Sequence, residues 1–260
     1  MKYSEISHFS HPEHQLTYDY TQIPFKCDGC NEPGIGSHYR CTTCNHDLHV
    51  HCALPSLSIS HPFYTRCTFQ FLASPPGSAP RYCNACQKDI SGFVYHCKTC
   101  GFDLHPCCAK LPAMLDDGEV KLYLCKKVGS ACHKCGKKGR SWSYRSTCKK
   151  YNLHVACAKE MLAESWYDIY YCGARIGEYG DYGPYGNDMY GQKPQNWKLE
   201  MNFPSLKGTL QSYHKRGPKR KGKLKKCCQI AGLAVKFVIS AILGDPTTLI
   251  AGVVGALLSK

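Results

Sequence analysis

CNACQKDISGFVYHCKTCGFDLHPCC, residues 83–108, sets two Cys-x2-Cys pairs ahead of a His-x2-Cys pair: Cys83, Cys86, Cys97, Cys100, His105 and Cys108. Each Cys-x2-Cys pair can place two thiolates on one metal ion, and the His-x2-Cys pair can complete a tetrahedral shell. Residues 27–52 repeat the phrase with every interval kept, as Cys27, Cys30, Cys41, Cys44, His49 and Cys52. A third copy is degraded. Cys132, Cys135, His154 and Cys157 remain, but Ser146 and Lys149 stand where the second pair belongs, with Cys148 one place out of register. The chain therefore reads as small modules in tandem, each folded around metal.

Composition agrees. A chain of 260 residues with 20 cysteines relies on cross-links or metals rather than on one large core. Its first residues, MKYSEISHFSH, contain no apolar stretch of the secretory kind, so the expected setting is intracellular and reducing. Paired thiols with histidines at fixed offsets are then zinc ligands rather than disulfides. The formal net charge of +14 counts every cysteine as neutral. A Cys3His zinc site carries a net −1, so five sites remove roughly five charges and leave the repeats near neutral. The remaining excess lies late, where Lys215, Arg216, Lys219, Arg220, Lys221, Lys223, Lys225 and Lys226 crowd together.

Six donors in one phrase exceed the four that a structural zinc takes, so a second ion must recruit from outside the phrase. Around the first copy the candidates are His14 and His61, with His11 competing for the place of His14. His8, His38, His46, His51 and His96 are read as surface or satisfied core groups. With a histidine ahead of the first cysteine pair, the pattern resembles the C-one zinc domain first known from protein kinase C. The endings HDLHVHCALPS and FDLHPCCAKLP resemble more narrowly the plant cysteine/histidine-rich family of divergent C-one domains, over residues 11 to about 160.

The resemblance implies interleaved sites. One zinc takes Cys27, Cys30, His49 and Cys52, and the other takes His14, Cys41, Cys44 and His61. In the second copy the inner set is Cys83, Cys86, His105 and Cys108. The outer set is Cys67, Cys97 and Cys100 with a carboxylate from Asp116 or Asp117. Cys67 enters because Cys67-Thr68-Phe69 aligns with His14-Gln15-Leu16. The third copy keeps Cys132, Cys135, His154 and Cys157, giving five zinc ions in all, and leaves Cys125 and Cys148 as free thiols.

The fold class expected is small zinc-stabilised α+β modules in tandem, with short antiparallel strands and a short helix each. A flexible Gly/Tyr linker and an apolar helical C-terminal tail follow. The boundaries read 11–61, 62–117 and 121–164 for the three modules, 165–212 for the linker, 213–228 for a basic segment with Cys227 and Cys228, and 229–260 for the tail. Metal binding should supply roughly 10 kcal/mol or more per site.

The apolar blocks 230–243 and 249–258 are each too short to cross a bilayer core of about 30 Å. Beside the basic run and the paired cysteines they favour contact with an anionic membrane face, with palmitoylation of the cysteines. A nuclear localisation signal and packing on the protein are the competing readings.

Four filled ligands leave a zinc no open position, and no catalytic residues stand out, so the expectation is a non-enzymatic protein that binds protein partners in intracellular signalling. A thiol/disulfide redox protein using the Cys-x2-Cys pairs is the alternative, and diacylglycerol-type lipid binding a further one. The loop between the second and third cysteines is shorter than in the family's lipid-binding form, which argues against the latter. Nucleic acid is disfavoured because the basic run lacks interleaved aromatics. No small-molecule substrate is expected.

Overall fold

The computed structural model describes residues 4–116, 120–149, 151–174 and 242. The sequence leads one to expect small antiparallel modules, and three four-stranded antiparallel sheets follow one another along the chain. The first joins β1 (Glu5–His8), β2 (His11–Lys26), β3 (Pro33–Arg40) and β4 (Asp47–His49), in that order. The second joins β5 (Ser58–Ser60), β6 (Thr68–Leu72), β7 (Val94–Cys97) and β8 (Phe102–Leu104). The third joins β9 (Met114–Asp116), β10 (Lys121–Cys125), β11 (Ser143–Ser146) and β12 (Asn152–His154). A helix follows each sheet: α1 (Val50–Ala53), α2 (Pro106–Ala109) and α3 (Val155–Ala174).

Strand register makes the repeats superimposable residue by residue. Tyr39 pairs with Leu48, Tyr95 with Leu104 and Tyr144 with Leu153, and all six side chains are buried. The hydroxyls of Tyr95 and Tyr144 donate to the carbonyls of Ser56 and Pro112, at 2.9 and 2.8 Å. Each tyrosine thus fastens the chain that enters its own module. Thr17 pairs with Arg40, Gln70 with His96 and Tyr123 with Arg145, which makes Leu16, Phe69 and Leu122 equivalent; all three are fully buried. Period-2 alternation sends these residues to the core and their neighbours outward.

The structure draws the modules differently from the sequence reading. Ser58–Ser60 pairs with β6, and Met114–Asp116 pairs with β10, so each lies with the following sheet rather than closing the preceding one. Residues 5–8 add a strand ahead of position 11. Helix α3 runs to Ala174, ten residues into the expected linker.

The modules are pressed together rather than strung out. The amide of Phe93 donates to the carbonyl of Gly29 at 2.7 Å, and that of Trp142 to the carbonyl of Ala85 at 2.9 Å. Gly92 must be glycine for the first of these contacts, because a Cβ there would stand 2.1 Å from the Gly29 carbonyl oxygen. The linker beyond Ala174, the basic segment and the tail lie outside the described residues, apart from Ile242. That side chain is buried in the apolar cluster that holds Leu153, Met161 and Leu162. No helix among the described residues is long and apolar enough to cross a membrane.

Candidate metal centres

Three clusters repeat one construction. Cys27, Cys30, His49 and Cys52 converge, as do Cys83, Cys86, His105 and Cys108, and Cys132, Cys135, His154 and Cys157; within each cluster the donor atoms lie within 4.8 Å of one another. The first pair of each set sits on a tight turn. The amide of Cys27 donates to the carbonyl of Glu32 and that of Asn31 to the carbonyl of Cys27; Cys83 and Gln87, then Cys132 and Gly136, repeat this pattern. The residue after the second cysteine takes a left-handed backbone each time, at φ 59 for Asn31, 62 for Gln87 and 70 for Gly136.

The histidine closes the cluster from the end of β4, β8 or β12, with its cysteine partner one helical turn on. His49 and His105 stand at the N-cap positions of α1 and α2 without capping them, because their rings face sulfur.

The donor geometry fits zinc. Zinc–sulfur bonds of about 2.3 Å and zinc–nitrogen bonds of about 2.0 Å at tetrahedral angles put sulfur and nitrogen about 3.5 Å apart. The Nδ1 of His49 lies 3.4 Å from the Cys30 sulfur and 3.9 Å from that of Cys52. His105 shows 3.4 and 3.9 Å to Cys86 and Cys108, and His154 shows 3.4 and 3.7 Å to Cys135 and Cys157.

The opposite ring nitrogens of His49 and His105 meet the carbonyls of Pro33 and Asp89, at 3.3 and 3.0 Å, which fixes the tautomer that leaves Nδ1 free for metal. His154 has no partner on its Nε2 among the described residues, and its cluster is less buried. Burial would raise the thiols of Cys27 and Cys83, yet hydrogen bonds from Cys30 and Cys108 among others hold both well below the usual range. The hydrogen bond from Cys157 brings Cys132 down to about 4. A low thiol in each cluster favours capture of a dication, since the ligand must be a thiolate.

Two further clusters differ from expectation. His11, His14, Cys41 and Cys44 come together, with His14 Nδ1 3.3 Å from both the Cys44 sulfur and His11 Nε2. His61 is not among them. It lies in an aromatic pocket 4.4 Å from the Trp142 ring, and its Nδ1 accepts the Phe63 amide at 3.2 Å. The cause is topological: β5 carries His61 away into the second sheet, while the register shift at residues 12–15 within β2 brings His14 beside His11.

Cys67, Cys97 and Cys100 converge as expected. Asp116 is not with them; it pairs with Lys121 across the third sheet, its carboxylate 3.0 Å from the ammonium. Asp117 lies outside the described residues. In the third module the Ser146 hydroxyl accepts the Tyr151 amide at 3.0 Å, so a hydrogen bond closes the turn where the second pair is missing. The leftover thiols go separate ways, Cys125 toward the Tyr123 carbonyl and Cys148 toward Ser146.

Sequence reasoning missed a junction between the first two inner clusters. Cys107, next to the ligand Cys108, is buried and hydrogen-bonded to both Cys108 and Cys30. Lys159 reaches it from α3 of the third module, 3.2 Å from the Cys107 sulfur, and also pairs with Glu32 of the first module. The other oxygen of Glu32 stands 3.7 Å from His105 Nε2. Against burial, which would lower it, the sulfurs of Cys107 and Cys108 and the Glu32 carboxylate hold the Lys159 ammonium well above its usual pKa. The doublet Cys107-Cys108 was the sequence signal available, since one of the two had no ligand role.

Residues 9–53 and 60–109 match the family model of the C1 domain. A stretch of 50 residues, 19% of this chain, is 40% identical to the probable nucleoredoxin 1 of Arabidopsis thaliana. It covers 8% of that protein, so the chain spans less than a tenth of this curated relative. No solved structure matches. The two matched segments are C1-like zinc domains, and the five clusters make zinc the metal of this chain, at about five sites.

Proposed function

We propose that the chain is a non-catalytic scaffold in which zinc-stabilised modules present surfaces to protein partners inside the cell, in a signalling role. The observation that carries this reading is the engagement of every Cys-x2-Cys pair in a multi-donor cluster, four of them with histidine Nδ1 turned in toward the sulfurs. Thiols so held serve the fold. Exposed apolar side chains such as Leu57, Phe9 and Tyr82 supply material for partner contact. Affinity capture with the zinc-loaded full chain should retain a protein partner that is lost on chelation. Equal capture before and after chelation would count against a role for the folded modules.

Thiol/disulfide redox chemistry is the second reading, supported by the name of the Arabidopsis relative. Native mass spectrometry separates the two. Five bound zinc ions with cysteines that resist alkylation support the scaffold, whereas a metal-free and readily oxidised Cys-x2-Cys pair supports redox chemistry. Membrane contact through residues 213–260 is a further proposal, tested by vesicle binding with that segment deleted, alongside a diacylglycerol-containing arm for the lipid-signal alternative. The burial of Ile242 in the protein core supports the rival reading in which the first apolar block packs on the modules.

A further inference from the structure

Register equivalence shows what has happened to the outer site from module to module. Two residues before Leu16, Phe69 and Leu122 stand His14, Cys67 and Val120; five residues before the first two stand His11 and Tyr64. In the first module both positions donate, and with Cys41 and Cys44 they make four. In the second module Cys67 donates with Cys97 and Cys100, but the place of His11 belongs to Tyr64.

Tyr64 is committed elsewhere. Its hydroxyl accepts from Trp142 Nε1 at 3.4 Å, its ring packs edge-on against Phe69 with centroids 5.6 Å apart, and the Lys126 ammonium sits 4.4 Å from its centroid. The three sulfurs are gathered within 4.8 Å without a fourth donor among the described residues, and Cys100 is exposed.

Zinc seeks four ligands, and three from the protein leave one position for a molecule from outside. An all-sulfur set makes the centre soft, so a further sulfur donor suits it best. We propose that the Cys67/Cys97/Cys100 centre is an open zinc site whose fourth position takes an exchangeable thiolate, either from a low-molecular-weight thiol or from a cysteine of another chain. Binding is ligand exchange only: the incoming thiol gives its proton to solvent, its sulfur bonds to the metal as the water in the fourth position leaves, and no electron changes hands. The proposal rests on the zinc reading of the clusters.

The test uses the full chain loaded with cobalt(II), whose visible bands report the ligands of each ion, in a thiol-free buffer. Glutathione is the probe. The expected result is a saturable change in the bands of one cobalt per chain, absent in Cys100→Ser. It should also be absent in Tyr64→His, which places an imidazole where the first module has His11, with the cobalt count unchanged. Cys100 is exposed, so its variant carries the test if Tyr64→His does not fold. Bands that change on dilution of the thiol-free protein, with the four-coordinate form favoured at high concentration, would assign the donor to a second copy.

No response in the wild type together with bands unchanged on dilution, or a response that survives Cys100→Ser, overturns the proposal. So does a response that appears only in Asp117→Ala or Glu119→Ala, since the chain would then close the site itself. Failure of the zinc reading looks different, because no cobalt–thiolate band forms at all.

Discussion

Three residues apart on one strand, His11 and His14 should face opposite sides of a sheet. They meet because Ile6 pairs with Leu16 and His8 already with His11, so residues 12–15 form a bulge that turns His14 back toward His11. A bulge of this kind leaves little trace in sequence. Pattern alone made the two histidines rivals for one place, and the interleaved set of the resembling family then drew in His61. The inner ligands were legible throughout, because all four lie in one phrase with fixed intervals. We expect His11→Ala to make the first module's outer zinc easier to remove in a chelator competition, leaving it three protein ligands, and His61→Ala to leave that zinc unchanged. A lost zinc in the His61 variant would reinstate the interleaved set.

At the scale of elements, the sheets were legible as short antiparallel strands, but their first strands were not. Ser58–Ser60 and Met114–Asp116 are three residues long, too short for an alternating pattern, and what places them is pairing with β6 and β10. The far half of α3 escaped notice for a different reason: its tyrosines and glycine read as the start of a linker. Contact between modules depends on backbone fit that composition does not encode. Gly92→Ala should destabilise the zinc-loaded chain by about 1–3 kcal/mol, because the new methyl group meets a carbonyl of the neighbouring module rather than a side chain that can swing away. Thermal unfolding of the wild type and variant in parallel checks this, and an unchanged midpoint would show that the first two modules do not depend on that approach.

Across the whole molecule, the third module is more than a worn copy of the first two. It places the ammonium of Lys159 among two zinc–thiolate clusters, each of net charge about −1 when loaded, and the Glu32 carboxylate. Cys107 lies between Cys30 and Cys108, hydrogen-bonded to both. Lys159→Met would strand Glu32 and should cost about 3–5 kcal/mol in denaturant unfolding, most of it recovered in the double variant with Glu32→Gln. Additive losses in the double variant would deny the coupling.

The same lysine sets an order in time. Ribosomes add about 5–20 residues each second, so roughly fifty residues separating Cys108 from Lys159 take about 3–10 s to make. Through that interval the nascent chain already holds every ligand of its first two inner centres but not the cation that balances them. Those centres are expected to hold zinc less tightly until the last module emerges, and a chain ending after the second repeat should lose its inner zinc ions to a chelator faster than the full chain.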